Sequence, residues 1–278
     1  VIYVQYRSFD RSGAAFYALL LIGLTLLILA LEARSRGRAR HDPGSVGAAR
    51  PPATVALGPW RWPALVFCAA VVGLGLVLPT GMLLYWLARG LAAGESLGAL
   101  WAPTLSALLA SGLAAGATVL AALPVAVLIV RRPGRLTRLL EGLSYSAFAL
   151  PGIAVALALV FFGIGYAPFL YQTLAMLVFA YGVLFLPQAV GALRGALLQV
   201  HPSLEEAARS LGDSPLRVLL RVTAPLIRPG AVAGASLVFL TAMKELPATL
   251  LLAPTGYKTL ATEVWSAVSE AFFARAAA

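Results

Sequence analysis

Six long apolar runs constrain this chain more than anything else in it. They cover approximately residues 14–31, 64–87, 105–130, 143–164, 170–190 and 230–252. A bilayer core about 30 Å thick takes roughly 20 apolar residues per helix, and each run is near that length. Backbone groups in hydrocarbon must be satisfied within their own segment, so such runs fold as helices. Hydrophobic residues make up 60% of the chain and charged ones only 12%, whereas soluble domains carry about a quarter charged residues. The expected fold class is therefore all-α, a polytopic transmembrane helix bundle. Pro79, Pro124, Pro151, Pro187 and Pro247 fall within or beside the runs and predict kinked helices, which a bundle tolerates when neighbouring groups resatisfy the freed backbone.

Orientation follows from the arginines, because cytoplasmic loops carry the Lys/Arg excess. Loops 32–63, 131–142 and 191–229 hold most of the 21 basic residues, Arg34, Arg36, Arg131, Arg132, Arg209 and Arg217 among them. Placing these loops inside leaves Arg7, Arg11, Arg89, Lys258 and Arg275 outside and Lys244 within a run. The net charge of +10 is then a topology signal whose counter-surface is membrane lipid with acidic headgroups, and it gives no support to a nucleic-acid partner. The single cysteine, Cys68, lies inside an apolar run, so no intrachain disulfide can form.

Between the fifth and sixth runs lies a polar, cationic island. Ser203 precedes Glu206 by three residues, the capping-box spacing that opens a helix. Gly212 follows Leu211 where a left-handed residue would close that helix, and Asp213-Ser214-Pro215 supplies a cap and a first-turn proline for another. Leu216, Val218, Leu219, Leu220 and Val222 would bury one face of this second helix, with Arg217 and Arg221 on the other. Spacing alone serves two readings equally: a connector lying on the headgroups, or a protruding knob that docks a soluble motor subunit. A DNA-binding helix-turn-helix is disfavoured, since the second helix is too apolar and the flanking spans restrict access.

A second polar site interrupts the last run at Lys244-Glu245-Leu246-Pro247-Ala248-Thr249. Ionisable residues at membrane depth face the bundle interior or water and are functional candidates by default. Lys244, Glu245, Pro247 and Thr249 are accordingly read as lining or gating a translocation path, with a structural ion pair to another helix as the bland alternative. Adjacent helical residues do not face each other, so Lys244 and Glu245 take different partners unless Pro247 breaks the helix.

No catalytic pattern accompanies these sites. The chain has no phosphate-binding G-x-x-x-x-G-K-[ST] segment, and neither Lys244 nor Lys258 sits in a glycine-rich loop. His41 and His201 read as solvated loop residues and not as metal ligands. The chain is expected to bind no cofactor and to be no enzyme. Gly112/Gly116, Gly191/Gly195 and Gly230/Gly234 have the small-residue spacing of close helix pairs, a pattern that chance supplies readily in a chain with 26 glycines.

Glu206-Ala207-Ala208, with Gly212 four residues on and Val222-x-x-Pro225 ten residues later, resembles the cytoplasmic coupling loop of bacterial ATP-binding-cassette (ABC) importer permeases. Val222 and Ala224 depart from that family's usual isoleucine and leucine while staying apolar. The run from Lys244 to Thr249, continuing through Pro254-Thr255-Gly256-Tyr257, is similar to ferric-iron importer permeases, as is Leu150-Pro151-Gly152-Ile153-Ala154. Thiamine, phosphonate and polyamine permeases share related segments.

The resemblance implies a MetI-like bundle in the bacterial inner membrane that passes Fe(III) inward from a periplasmic solute-binding protein. It implies a second permease half, fused or separate, and an ATPase dimer that carries the ATP. Glu206, Ala207, Ala208 and Gly212 would form the docking knob, with Val222 and Pro225 seating it on the membrane base. By the same resemblance, residues 1–32 are the last helix of a preceding permease half, 33–63 an Arg/Pro/Gly-rich linker, and 64–278 a second permease domain with its coupling loop at about 201–225. A chain that starts at Val1 and breaks off in an apolar run at its end is expected to be a fragment lacking its final helix. Two rival readings remain at this point: an ion-coupled secondary transporter relaying charge through Lys244 and Glu245, and a membrane scaffold that binds a cytosolic partner without moving substrate.

Overall fold

The computed structural model describes residues 3, 11–35, 58–94, 97–132 and 134–277, and among these there is no strand. Helix α1 spans Arg11–Ser35 and α2 spans Gly58–Ala92. Helices α3 (Trp101–Arg131), α4 (Arg135–Ser146), α5 (Gly152–Tyr166) and α6 (Leu174–Gln199) follow. The polar island folds as α7 (Pro202–Ser210) and α8 (Pro215–Leu226). After it come α9 (Arg228–Met243), α10 (Pro247–Leu252), α11 (Leu260–Ser269) and α12 (Phe273–Ala277).

Six uninterrupted spans are not what forms. Among the described residues α2, α3 and α6 are long and apolar enough to cross a bilayer, or four spans if α8 and α9, bent by 71°, count as one. The run at 143–164 splits because Pro151 drives the residue before it out of helical geometry. Leu150 is extended at φ −88°, ψ 127°, so α4 has already ended and α5 starts afresh. The run at 230–252 splits at residues 244–246, where Pro247 opens α10. The run expected at 170–190 begins later, at Leu174, where the Thr173 hydroxyl accepts the Met176 amide at 3.3 Å, and it extends to Gln199.

Most of the expected linker, with His41 and the Arg36–Arg40 repeat, lies outside the described residues. Its last residues prove to be helix: α2 opens with a 3₁₀ turn at Gly58–Trp60 and is α-helical from Arg61. Pro124 and Pro187 stay inside α3 and α6 without ending them. Pro79 and Pro225 instead follow five-residue π turns, Gly73–Val77 and Leu219–Thr223. Proline lacks an amide and its ring crowds the carbonyl four residues back. The wider turn absorbs the misfit: the Leu78 amide bonds Gly73 O and the Ala224 amide bonds Leu219 O.

The described chain forms two compact units, Val1–Ala30 with Ala99–Glu263, and Leu31–Gly98 with Val264–Ala278. In the first, α3, α6 and α9 pack on one another around Leu177, Val190, Leu193, Leu197 and Val238, all fully buried. The approach of α9 to α6 is set by Gly230 and Gly234. A Cβ on Gly230 would fall 2.3 Å from the Ala196 Cβ, and one on Gly234 would fall 3.2 Å from the Ala192 Cβ. Gly112 and Gly116 meet nothing within 4 Å, so only one of the first and third small-residue pairs is a close packing seam. In the second unit Gly90 closes on Ala274, and the Trp86 and Phe273 rings lie 5.6 Å apart. The apolar stretch of α2 has none of its residues buried, and Cys68 is exposed on it; for a lipid-facing helix the acyl chains take the place of a protein core.

Candidate functional site

The polar island is a helix, turn and helix, as its sequence predicts, but the residues that build it differ in part. Helix α7 is capped by His201 and not by a Ser203–Glu206 box: the His201 Nδ1 accepts the Ser203 amide at 3.3 Å. Pro202 occupies the first turn, which needs no amide there. The far end is a Schellman turn. Gly212 adopts φ +92°, its amide bonds Arg209 O at 3.0 Å, and the Asp213 amide bonds Ala208 O at 3.1 Å.

On this frame Glu206, Ala207 and Gly212 are exposed, while Ala208 turns inward at 9% exposure. Val222 is half-buried and Pro225 exposed. Leu211, Leu216 and Leu220 are also in the open, at 88%, 64% and 61% exposure. The apolar face expected of α8 is therefore only partly buried. Val218 and Thr223 are its inward residues. The surface presented carries exposed leucines together with Glu206 and the exposed arginines Arg209, Arg217 and Arg221.

Sequence reasoning overlooked Glu205. Its carboxylate is buried at 6% exposure. Oε1 lies 3.0 Å from Arg131 Nη2 and accepts from Arg131 Nε at 3.1 Å and from the Thr223 hydroxyl at 3.0 Å. Oε2 lies 3.6 Å from Arg209 Nη2. Arg131 Nη2 also donates to Val200 O at 3.0 Å. The available signal was helical spacing, since Glu205 and Ala208, three residues apart, share a face. A cavity of about 220 Å³ adjoins this cluster, lined by Arg131, Arg132, Glu205, Arg209 and Thr223.

At the second site Pro247 does break the helix, and Lys244 and Glu245 part company. Lys244 caps the end of α9 and is exposed, while Glu245 is half-buried and turns inward. Glu245 Oε1 accepts the Ala248 amide at 3.3 Å. A Cβ on Gly152, the first residue of α5, would lie 3.0 Å from the same oxygen. Glu245 thus sits between the starting turns of α10 and α5, where partial positive charge favours a carboxylate. Thr249 is fully buried and donates to Glu245 O; its hydroxyl lies 2.6 Å from that of Tyr181 on α6. Pro247 is half-buried at the break itself. Beyond α10 the Tyr257 hydroxyl donates to Ser106 O on α3, and burial raises the Tyr257 phenol above its ordinary value.

These features define an all-helical, multi-pass membrane protein that presents a turn-linked helix pair outside its apolar bundle. The chain belongs to the family described as "Binding-protein-dependent transport system inner membrane component", whose profile matches residues 118–278. It is similar to the "Fe(3+)-transport system permease protein FbpB 2" of Haemophilus influenzae, at 38% identity over 282 residues, covering 99% of this chain and 55% of that protein. It is also similar to the "Molybdenum transport system permease protein ModB" of Mycobacterium tuberculosis, at 34% over 157 residues, 50% of this chain and 58% of that one. A 73-residue stretch is 41% identical to ModB of Escherichia coli, 26% of this chain and 32% of that protein. The chain thus spans about half the length of the relatives with the longest matches. By that family it is an inner-membrane component of a transport system.

Proposed function

We propose that this chain belongs to the membrane-spanning permease subunit of an ATP-driven ABC importer for Fe(III), accepting substrate from a periplasmic binding protein. The observation that carries this reading is the match to an Fe(3+)-transport permease along 99% of the chain, supported by a turn-linked helix pair on which Glu206 and Ala207 lie in the open. On this reading residues 1–32 close a preceding permease half, 33–63 link it to the next, and 64–278 form the second permease domain. ATP hydrolysis belongs to a separate ATPase dimer that receives the cytoplasmic knob, with Gly212 setting its turn and Val222 and Pro225 its base. Glu245, Pro247 and Thr249 border the translocation path.

Molybdate is the second reading, since shorter stretches match molybdenum permeases. The experiment reconstitutes the whole protein with its ATPase and binding protein in vesicles and measures uptake of Fe(III) and of molybdate, with ATP supplied and the proton gradient collapsed. ATP-dependent Fe(III) uptake is expected. Molybdate uptake instead would move the substrate assignment, and uptake that stops with the gradient would replace the importer by an ion-coupled carrier.

A further inference from the structure

Adjacent residues of α7 face opposite ways: Glu206 lies in the open and Glu205 is buried on Arg131. The outward face is the docking surface of the reading above, on which this inference rests. On the inward face one carboxylate makes the polar contact between α7 and α3. Arg131 is the last residue of α3, and Val200, whose carbonyl it also holds, terminates α6. Thr223, the third partner, closes the π turn of α8, directly ahead of the 71° bend into α9. A single oxygen, Glu205 Oε1, therefore joins α7 to α3 and α8, and Arg131 extends the junction to α6.

Arg131 brings both Nε and Nη2 to one oxygen of this carboxylate, a short charge-assisted contact that resists separation of the two side chains. Arg131 and Glu205 side chains are 17% and 8% exposed, so water competes little for either. By contrast, the other ion pairs tying down this region are loose: Arg209 reaches Glu205 at 3.6 Å and Arg221 reaches Asp213 at 3.9 Å, both from well-exposed side chains. Such pairs contribute little.

We propose that Glu205 is a positioning residue for transport: its junction with Arg131 and Thr223 transmits displacement of the docking knob to α3, α6 and α8, and it is separate from the residues that touch the ATPase. The whole protein is reconstituted with its ATPase and binding protein, and each variant is scored per inserted molecule for ATPase copurification and for ATP hydrolysed per substrate moved, with Fe(III) and molybdate as probes. Glu205→Gln keeps the side-chain shape and is expected to retain the ATPase while raising the ATP used per substrate about tenfold. Thr223→Val, which removes one hydrogen bond and little volume, gives a smaller rise. Arg131→Met combined with Glu205→Gln does no more harm than the worse single change, because the two act as one unit.

An unchanged ATP-to-substrate ratio in ATPase-bound Glu205→Gln overturns the junction and leaves the docking reading standing, as does multiplicative loss in the double variant. Loss of the ATPase from Glu205→Gln alone makes Glu205 a docking residue and also overturns it. If the wild-type protein brings down no ATPase, the docking reading falls and this inference with it. Poor insertion of Glu205→Gln shifts the decision to Thr223→Val, for which an unchanged ratio overturns the junction.

Discussion

Tyr181 and Thr249, far apart in sequence, meet hydroxyl to hydroxyl at 2.6 Å in a part of the bundle where both are buried. Thr249 spends its own proton on Glu245 O, so the Tyr181 phenol is the donor to Thr249. This short chain fastens the broken segment at 244–246 to the first half of α6. The break is thereby held open by a defined contact and not merely permitted by Pro247.

Tyr181→Phe removes the donor but leaves Thr249 its bond to Glu245 O. We expect a loss of about 1 kcal/mol, read as a lower unfolding temperature in detergent. Thr249→Val removes both bonds and should lower it further; equal melting of the two variants would show that the Glu245 O bond contributes nothing.

Glu245→Gln keeps an acceptor for the Ala248 amide, so melting should stay near wild type, whereas Glu245→Ala loses the cap and about 1 kcal/mol with it. If Glu245 borders the path, Glu245→Gln lowers uptake about tenfold without loss of stability. Wild-type uptake in that variant would leave the residue a helix cap and nothing more.

Gly212 holds φ +92° with open space around it, so a substitution there is penalised by backbone conformation and not by collision. Gly212→Asn should be nearly neutral and Gly212→Val should cost about 1–2 kcal/mol locally. The measurement is ATPase copurification with the inserted protein: Asn retains it, Val weakens it, and Asp, which brings charge to the turn, abolishes coupled uptake. Equal behaviour of Asn and Val would mean that the turn geometry is not what the partner reads.

Gly230→Ala sets its Cβ 2.3 Å from that of Ala196, an overpacking that should destabilise by about 1–3 kcal/mol. Ala196→Gly in the same chain should restore most of the loss. Gly116→Ala, with nothing within 4 Å, should leave melting unchanged or raise it. Similar effects at 230 and 116 would refute the close seam between α6 and α9.

How far the site was legible depended on the range of the interactions. The Schellman turn could be read locally, because Gly212 and the polar residues beside it decide it within a few bonds. Capping could not: His201 displaced Ser203 as the cap, since an imidazole on the residue before Pro202 reaches the Ser203 amide that the Glu206 carboxylate was expected to take. Glu205 and Glu206 are chemically identical neighbours, and nothing in their own types says which is buried; the answer lies with Arg131, more than seventy positions earlier. Likewise Gly230 and Gly112 have the same sequence spacing, and only the helix opposite each distinguishes a seam from an exposed face.

The sequence by itself determined the solvent and the architecture. Apolar runs and clustered arginines leave an all-helical membrane protein as the only economical way to satisfy the backbone, and Pro151, Gly212 and Pro247 mark where helices must stop. Tertiary structure decided which side of each helix matters. It buried Glu205 against Arg131, turned Glu245 toward Gly152, and joined Tyr181 to Thr249. Local sequence sets torsion angles and hydrogen bonds over a turn or two, whereas partners remote in the chain are chosen only when whole helices pack.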